Sequence, residues 1–586
     1  MEFNYKYITL SNCSTSDQAL SLNLSYDLNR SEKVSFLGKL KRPLVFRDAL
    51  LMLREIVTLD TSVKKIPRPE FFKWLADEIE RRSLLREANA DLVRQDLLKE
   101  MQPFYDKLTE IDNKLAQLNA TNKDIVSQIN ETDAWKDYYA LERQFWAFIK
   151  SRDYNLWFVL DPVITVHKDI VSFEAFSIDE SVYGNLSIPM DEFELLQPPK
   201  LGTTNIDFSD KLATEISRFR TYNDVMLSIN PEGLEVVSDI CESYTEKKID
   251  LPDSWIHGFN QVSSASMLSG ICIDLSPMDV YDLCNFIKRY KAHQSPRFMK
   301  WILIPNKPVQ IIFEPSKAKL TLQAIYHGKK VREEKIWGRN RWLVLEKLIP
   351  LATSFTIKLH GFGMPQFVIA HIGQISMTVG FSSWSRNDWV KGTAFNIMAG
   401  FIGNECYEPV YKALLKNRKL TLPELSLQLP ELNVSELKSG LGQLFKRGEG
   451  YYDFNHYSVR FRKLYNMPLP DKFYESTNTE LDVQKLLIQG MDRFEIKYLS
   501  TGEYVFTNVY LNSDSSLSKP TKLIIDSDGN ITHASCTCHT FYQGAQNISS
   551  PCSHILALYL TSTKFLSLHL EVDKTYKIND IMEILL

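Results

Sequence analysis

The sequence predicts an α+β protein that is divided into several domains. Its 586 residues exceed what one hydrophobic core organises, because cores stop growing at roughly 250 to 300 residues. Short runs of β-branched and aromatic residues alternate with amphipathic helix patterns over most of the chain. A heptad pattern interrupts this mixture once, and three of the eight cysteines crowd together near the C-terminus. We therefore expect a mixed α/β core, a helical insertion and smaller units that follow the core.

Composition and charge limit the class of protein. With 44% hydrophobic and 24% charged residues the chain has the composition of a globular protein. The formal net charge is -4, so contact with nucleic acid would require a local basic patch. The sequence shows no secretory leader pattern and no apolar run of about 18 residues, which predicts a cytoplasmic protein without a membrane span. Five cysteines stand singly, a pattern typical of buried reduced thiols: Cys13, Cys241, Cys272, Cys284 and Cys406.

Residues 1–66 form the first predicted unit, an α+β segment. It contains the strand-like runs YKYITL and ALSLNLSY and one apolar helix pattern, RDALLMLREIV. We expect it to complete its core with chain from later in the sequence.

Residues 67–152 are predicted to be a helical insertion. Ten positions follow a heptad register: Leu97, Met101, Phe104, Leu108, Ile111, Leu115, Leu118, Asn122, Ile125 and Ile129. One interpretation is an antiparallel helical hairpin, since N-E-T-D at 130–133 supplies caps before a second amphipathic helix. The other is an intermolecular coiled coil, which would make the chain a homo-oligomer through 97–129.

Residues 153–404 predict the mixed α/β core. Its strand-like segments are WFVLDPVITV, VSFEAFSI, MKWILIP, VQIIFEP, SFTIKLHG, QFVIAHI and ISMTVGFS. MDVYDLCNFIKRYK and RWLVLEKLIPLA predict helices between them. The glycines of GFGMP at 361–365 favour a turn over a phosphate-binding loop, because no G-x-x-x-x-G-K-[ST] motif is present.

Residues 405–470 predict a winged-helix-like unit, in which three helices are followed by a β-hairpin. Basic residues outnumber acidic residues in this unit. Its third helix and its hairpin could contact nucleic acid through five residues: Lys438, Lys446, Arg447, Arg460 and Arg462. A protein-docking module is the alternative, since the third helix also has an apolar face.

Residues 471–586 contain the clustered cysteines. Cys536 and Cys538 form a C-x-C pair at the end of a strand pattern, where alternation places both side chains on one face. Cys552 and His554 form a C-x-H pair at the start of a helix pattern. The preceding S-S-P predicts a helix whose N-cap is Ser550 and whose first residue is Pro551.

These four side chains are a donor set for Zn²⁺. Zinc takes thiolates and imidazoles as four tetrahedral ligands, and a set of three thiolates and one imidazole leaves no position open to activate water. We therefore predict one structural zinc ion. His539 and His533 are the rival imidazoles, of which His539 would be strained as a ligand because it directly follows Cys538.

The C-x-C and C-x-H pairs on a ββα framework resemble the SWIM zinc finger. The likeness continues in LDPVITVHKDIVSFEAFS, in LGTTNIDFSDKL, in KKIDLPDSWIHGFNQVSSA and between GRNRWLVLEKLIP and GFSSWSRNDW. In these stretches the chain resembles bacterial SWIM zinc finger family proteins that accompany MoxR-type AAA+ ATPases and von Willebrand A proteins. The block at 67–152 looks like an insertion relative to much of that family.

The resemblance implies a non-enzymatic interaction protein, an accessory subunit for an AAA+ ATPase and a von Willebrand A protein in stress or in defence against foreign DNA. Its alternative is a DNA- or RNA-binding protein that uses the basic 405–465 unit and the finger. Acidic residues outnumber basic residues around the finger, which disfavours a nucleic-acid contact there. The sequence shows no Walker, G-x-S-x-G or H-E-x-x-H motif, and we assign no catalytic residue.

Overall fold

The computed structural model describes the greater part of the chain outside 60–161. The described residues are 5–6, 12–15, 19–23, 34–59, 114, 162–205, 213, 216–217, 219–220, 224–229, 245–246, 253–291, 297–361, 363–382, 389, 394–400, 406–464, 477–489, 493–511, 518–538, 551–566, 568 and 570–585. The chain divides into two compact units, Met1–Thr61 with Val159–Leu586 and Ser62–Phe158. The predicted helical insertion, with its oligomer contact at 97–129, lies outside the described residues except for Lys114, which is helical.

Runs of consecutive strands are separated by helices along the described chain. The strands are β1 Tyr5–Lys6, β2 Asn12–Thr15, β3 Ala19–Asn23, β4 Phe36–Leu40, β5 Val163–Val166, β6 Ile170–Phe176, β7 Val182–Pro189, β8 Phe193–Leu195, β9 Gly202–Asn205, β10 Asp224–Ile229, β11 Thr245–Glu246, β12 Ile271–Leu275, β13 Met299–Leu303, β14 Pro308–Phe313, β15 Ala318–Ile325, β16 Arg332–Ile336, β17 Ser354–Leu359, β18 Gln366–Ile372, β19 Ile375–Phe381, β20 Lys419–Thr421, β21 Gly450–Asp453, β22 Ser458–Phe461, β23 Glu495–Tyr498, β24 Glu503–Leu511, β25 Ser518–Asp526, β26 Ile531–Cys536 and β27 Thr575–Lys577. The α-helices are α1 Pro43–Val57, α2 Asp253–Ser266, α3 Pro277–Arg289, α4 Ala394–Met398, α5 Tyr407–Asn417, α6 Leu422–Gln428, α7 Val434–Lys446, α8 Asn478–Gln489, α9 Ser553–Ser562 and α10 Ile578–Leu585.

An antiparallel eight-stranded sheet forms the centre of the larger unit, in the order β12-β17-β18-β19-β7-β6-β5-β9. Strands β6 and β19 are buried along their whole length, so both faces of the sheet are covered there. Helix α1 packs on β6 and β7. A Cβ on Gly184 of β7 would lie 2.8 Å from Cδ1 of Ile56, so the glycine is what lets this helix approach the sheet.

The N-terminal segment does complete its sheet with later chain. Strand β4 pairs with β8 and β10, and β10 pairs in parallel with β3, which gives the order β2-β3-β10-β4-β8. Apolar residues of α1 lie in the core, where each buried aliphatic side chain contributes about 1.5–3 kcal/mol; they include Leu50, Leu53 and Ile56.

A four-stranded antiparallel sheet, β15-β14-β13-β16, follows, with α3 packed against β15. Helix α3 begins with a capping box between Ser276 and Asp279. RWLVLEKLIPLA, expected to be an ordinary helix, instead forms a 3₁₀ helix at Arg339–Leu348. Cys272, expected to be a buried thiol, is exposed, whereas Cys284 is buried.

The GFGMP segment contains a turn at which two backbones approach closely. Gly361 has φ of +102°, and a Cβ there would lie 2.3 Å from the carbonyl oxygen of Ile531. These two residues form an isolated parallel bridge. Gly361 is therefore required for two reasons: other residues rarely adopt its positive φ, and a side chain would clash with the backbone of β26.

The 405–470 unit contains three helices, α5, α6 and α7, followed by the hairpin β21–β22. A short strand that the sequence did not reveal, β20, lies between α5 and α6 and pairs with β22 to give the order β20-β22-β21. Helices α6 and α7 both begin with capping boxes, at Thr421 and Asn433. The name winged helix stays an interpretation of this element order.

The C-terminal part is built on a five-stranded sheet, β26-β25-β24-β23-β27. Helix α9 packs on β24, β25 and β26 and against α8. The D-S-D-G-N turn joins β25 to β26, with φ of +86° at Gly529. None of the helices in the described parts of the chain is long and apolar enough to cross a membrane.

Candidate metal centre

Four side chains from the end of β26 and the start of α9 converge on one point. The ligand atoms of Cys536, Cys538, Cys552 and His554 all lie within 4.8 Å of one another. No other such cluster of His, Cys, Asp and Glu is found among the described residues. The three thiols are buried and the histidine is half-buried. These four residues can hold a metal ion.

Local structure explains how each pair reaches the site. Cys536 is the last residue of β26, and Cys538 follows two residues later with its sulfur in the same converging group. Cys552 is the N-cap of α9, with φ of -73° and ψ of 162°, and its carbonyl accepts from the N–H of Leu556 at 3.1 Å. His554 therefore lies in the first turn of the helix.

The helix begins later than the sequence predicted. Ser553 is its first residue and Cys552 its N-cap, so Pro551 precedes the helix and Ser550 lies outside the described residues. The shift places a sulfur at the end of the helix where unpaired N–H groups and the helix dipole favour negative charge. A thiolate at this position is stabilised for the same reason.

Hydrogen bonds to Cys536 favour its thiolate form. The hydroxyl of Thr521 donates to its Sγ at 3.4 Å, and the backbone N–H of Cys538 approaches it at 3.5 Å. The neighbouring thiol of Cys552 is the largest influence and lowers the pKa of Cys536, whereas the same contact raises the pKa of Cys552. The thiols of Cys536 and Cys552 therefore titrate as a coupled pair, and their proton losses are not independent.

His554 is held against the sulfurs in a setting that suits a metal ligand. Burial lowers the pKa of His554, but contacts with Cys536 and Cys538 outweigh burial and raise it. Its Nδ1 is buried and has no hydrogen-bond partner among the described residues. An unsatisfied buried ring nitrogen is costly, and a metal ion bound through Nδ1 would remove that cost. The ring of Tyr510 lies 5.3 Å from the imidazole and covers it.

The rival histidines do not join this cluster in the described structure. His533 lies on β26 opposite Ile524 and is absent from the group of converging ligand atoms. Burial is the main cause that lowers the pKa of His533. His539 lies outside the described residues.

Thr521 and Tyr510 support the site and were not identified from the sequence. The hairpin register pairs Thr521 directly with Cys536. The D-S-D-G-N turn is the signal that could have located Thr521, because a turn position sets which residues of a hairpin are opposite each other. A bulge beside Ile524 shifts this register by one residue.

Arg460 and Arg462, predicted to contact phosphates, are buried instead. Arg460 is fully buried and forms two hydrogen bonds with Asp169, at 2.6 and 2.9 Å, and one with Asp453 at 2.5 Å. Arg462 is 1% exposed and pairs with Glu174, which is also 1% exposed. The structure therefore does not support nucleic-acid contact through these two guanidiniums, because carboxylates of β6, of the turn between β5 and β6 and of β21 already pair with them.

The other three basic residues of this prediction are partly covered. Lys446 is 8% exposed and pairs with Glu480 at 2.9 Å. Arg447 is half-buried, with its guanidinium 4.0 Å from the centre of the Tyr407 ring. Lys438 is half-buried on α7. Of the five basic side chains in this prediction, Arg460, Arg462 and Lys446 are therefore buried, and the other two are half-buried.

Comparisons with known proteins identify no family. No protein-family model matches the chain, and no curated protein matches it. Solved structures with some likeness include the proliferating cellular nuclear antigen of Entamoeba histolytica, 10% identical over 38% of this chain and 89% of that one, with a TM-score of 0.27. The DNA polymerase sliding clamp of Bacillus subtilis is 14% identical over 38% of this chain and 56% of that one, with a TM-score of 0.26.

The proliferating cell nuclear antigen of Thermococcus kodakaraensis is 12% identical over 38% of this chain and 90% of that one, with a TM-score of 0.26. TM-scores of 0.26 and 0.27 support no conclusion about fold or function. The Cys and His cluster is compatible with a zinc finger, and its assignment to the SWIM class stays a prediction.

Proposed function

We propose that Cys536, Cys538, Cys552 and His554 bind one structural Zn²⁺ and form a SWIM-type finger. The convergence of their ligand atoms within 4.8 Å is the observation that carries this proposal. Three thiolates and an imidazole are ligands that zinc accepts, whereas calcium and magnesium require oxygen. When bound, the metal supplies four bonds that join the strand end to the helix start.

The proposed role of the whole chain is recognition rather than catalysis. The four protein donors would complete a tetrahedral shell, so a zinc ion held by them has no position for a substrate or an activated water. We propose that the chain is a cytoplasmic accessory subunit that binds a MoxR-type AAA+ ATPase and a von Willebrand A protein. The motif resemblance supports these partners.

Metal analysis tests the zinc site. Elemental analysis of the purified full chain is expected to give one zinc per chain, and Cys538→Ser is expected to abolish it. Cys272→Ser is the matched control, because Cys272 is exposed on β12 and does not belong to the cluster. Equal zinc in Cys538→Ser and in Cys272→Ser would contradict the site.

Affinity purification from the native host tests the partners. The tagged chain is expected to recover an AAA+ ATPase and a von Willebrand A protein, and Cys538→Ser is expected to recover less of both than Cys272→Ser. Recovery of neither partner under low-salt conditions would contradict the accessory role while leaving the metal site intact.

Binding of nucleic acid is the second hypothesis, and the structure offers it little support. Of the basic residues in the 405–465 unit, Lys412 and Lys416 are exposed on α5. A protein that uses few phosphate contacts shows a shallow dependence of affinity on salt. A steep dependence in a DNA-binding titration of the full chain would favour this hypothesis over the accessory role.

A further inference from the structure

A cavity of about 440 Å³ lies between β16 and the C-terminal sheet. Residues 330–335 line one side of it, and none of the four residues of the metal cluster belongs to its lining. The opposite side is formed by residues on or next to β24, β25 and β26: Thr501, Glu503, Ile524, Asp526, Thr532 and His533. Cavities that hold small ligands usually measure about 300–1,000 Å³. This one is large enough for a small organic molecule or for a long side chain of another protein.

Glu334 lines this cavity as a buried carboxyl group without a partner. It is 3% exposed and lies on the same face of β16 as Arg332 and Ile336, because burial alternates along the strand. Its carboxyl oxygens have no hydrogen bond and no ion pair with any residue in the described ranges. Trp301 lies directly opposite on β13, and its indole N–H also has no partner there. The neighbouring strand therefore does not supply the missing donor.

Burial makes the charged form of this group unfavourable. It raises the pKa of Glu334 to about 8, and the opposing effect of Arg332 is smaller. A carboxyl group that is removed from water without a donor takes up either a proton or a cation. The space in front of Glu334 is therefore a place where a cationic group would be stabilised.

Two of the basic residues that line the cavity are held by other groups. Arg332 is paired with Asp526 and Asp528. Nζ of Lys330 contacts Oγ of Ser527 at 2.5 Å. Neither side chain forms an ion pair with Glu334 in the described structure.

Lys335 and His533 leave Glu334 without a cation as well. Lys335 is exposed on the opposite face of β16, and its Nζ lies 5.6 Å from the centre of the Phe298 ring. Burial is the main cause that lowers the pKa of His533, and Lys522 and Lys335 lower it further. The imidazole of His533 is therefore uncharged at neutral pH.

The lining carries one acidic residue more than it has basic residues. The basic residues are Lys330, Arg332 and Lys335, and the acidic ones are Glu333, Glu334, Glu503 and Asp526. Their charged partners outside the lining cancel, since Asp528 pairs with Arg332 and Lys300 with Glu333. The excess negative charge disappears when Glu334 holds a proton. A ligand with one positive charge would therefore balance the ionised site.

The rest of the lining offers one more acceptor and some apolar surface. The carboxylate of Glu503 accepts from the hydroxyls of Thr501 at 2.9 Å and Thr532 at 2.8 Å, which are uncharged donors. Val331 is 65% exposed and Ile524 is half-buried, so both can contact the stem of a ligand.

We propose that this cavity binds an organic cation, a guanidinium or primary ammonium group on an apolar stem, whose charged end pairs with Glu334. The stem packs on Val331 and Ile524, and Glu503 provides the second acceptor. An arginine or lysine side chain of a partner protein and a free small cation share this chemistry. The site goes beyond the proposed function, because it uses none of the metal ligands and requires no ATPase.

Isothermal titration calorimetry of the full chain tests the proposal. The probe is N-acetyl-argininamide, and its matched control is N-acetyl-citrullinamide, which has the same shape but an uncharged urea group. We expect saturable binding of the arginine probe that is roughly tenfold tighter than binding of the citrulline probe. No binding of the arginine probe, or equal affinity for the two probes, would overturn the proposal.

Two isosteric variants locate the bound cation. Glu334→Gln is expected to weaken binding of the arginine probe by roughly tenfold or more, whereas Glu333→Gln, on the exposed face of β16, should change it by less than about twofold. Equal weakening by both variants would mean that Glu334 does not hold the cation. Glu334→Gln removes a buried charge, so its urea midpoint should be no lower than that of the native chain. A clearly lower midpoint would show that the fold itself uses the carboxylate, against the proposal.

Proton release gives a signature that a structural role would not produce. A bound cation favours the ionised form of Glu334, whose pKa in the empty cavity is about 8. Affinity for the arginine probe should therefore rise with pH below about 8 and level off above it. Titrations in buffers of different ionisation enthalpy should detect proton release near neutral pH, and Glu334→Gln should show none. An affinity of the native chain that does not change with pH would contradict pairing with Glu334.

A peptide probe distinguishes the two sources of the cation. Acetyl-Gly-Gly-Arg-Gly-Gly-amide should bind more tightly than N-acetyl-argininamide if the natural ligand is a side chain of a partner protein, and more weakly if it is a free small cation. In both cases Glu334→Gln should weaken binding of the peptide. Equal binding of a peptide with citrulline in place of arginine would contradict recognition of the charge.

Discussion

The candidate metal cluster and the buried pairs of Arg460 and Arg462, at the end of β22 and just after it, both remove polar groups from water, but their members come from very different distances along the chain. The cluster joins two short motifs that lie between Cys536 and His554. Arg462 instead pairs with Glu174, 288 residues away, and Arg460 with Asp169, 291 residues away. Local spacing revealed the cluster, whereas the arginines had the sequence pattern of an exposed basic patch. A cationic side chain cannot be assigned to the surface until its partners are known.

Removal of metal should have the largest effect. A bound structural zinc contributes on the order of 10 kcal/mol to the apparent folding free energy of small modules. Treatment of the full chain with a strong chelator should therefore remove the protection of amides in α9 from hydrogen exchange. Peptides from β18 should keep their protection and serve as the internal control. Unchanged exchange in α9 after complete metal removal would mean that the cluster does not stabilise this part of the fold.

Breaking one buried ion pair should have the next largest effect. Arg462→Met leaves Glu174 buried without its cation, which should lower the free energy of unfolding by about 3–5 kcal/mol. Urea denaturation measures the change. Lys416→Met, an exposed change in the same basic unit, should cost less than about 0.5 kcal/mol. Adding Glu174→Gln to Arg462→Met should recover part of the lost free energy of unfolding. If Arg462→Met and Lys416→Met lower the free energy of unfolding equally, the pair of Arg462 and Glu174 is not buried.

Acid should destabilise the folded chain at Asp453, which pairs with the buried Arg460. Burial raises the pKa of Asp453, but His456 and Arg460 outweigh burial and lower it from 3.8 to about 2. Because the folded-state pKa is the lower one, the stabilisation is complete above the unfolded value and is lost as the pH falls toward about 2. The shift corresponds to about 2 kcal/mol.

Urea midpoints measured as the pH is lowered from about 5 toward 3 test this linkage. Asp453→Asn should be less stable than the native chain at the higher pH, and its stability should fall less on acidification. Asp482→Asn, at an exposed position on α8, should follow the native curve. If Asp453→Asn and the native chain lose stability in parallel, the carboxylate is not the group that responds.

The smallest effect should come from an interaction as local as the cysteine pairs. Oδ1 of Asn433 accepts from the N–H groups of Ser435 at 2.9 Å and Glu436 at 3.0 Å. Asn433→Ala should therefore lower the free energy of unfolding by about 1 kcal/mol. Ser435→Ala should cost less, since that exposed hydroxyl does not cap the helix. Denaturation curves that coincide for the two variants would contradict the cap.

Elements with a strong local pattern were predicted correctly. Each of the seven predicted strand segments of the mixed core contains a strand in its described residues, because β-branched and aromatic runs favour extended backbone wherever they pack. Residues 157–161 of the first segment lie outside the described part of the chain. The helix predicted from RWLVLEKLIPLA is helical but has 3₁₀ geometry, with Trp342 and Leu345 in the core. Local pattern gave the position of this element, and packing decided its geometry.

Other features had no signal in the sequence. Strand order in the central sheet places β19 beside β7, although nearly 200 residues separate them along the chain. A cavity lined by β12, by the connection between β15 and β16 and by the turn between β25 and β26 likewise requires three distant segments to meet. Neither spacing nor composition records such contacts, since many pairings of the same strands would bury similar apolar area.

By itself the sequence determined the mixed α/β character, the positions of the strands and helices that have a strong local pattern, and the four residues of the metal cluster. Each of these follows from interactions among residues that are close along the chain, where propensity, alternation and ligand spacing act directly. Only the tertiary structure decided which strands are neighbours and that Arg460 and Arg462 are interior groups. Strand neighbours and buried charges depend on which segments, far apart along the chain, pack against one another and exclude water. That is a property of the folded chain as a whole.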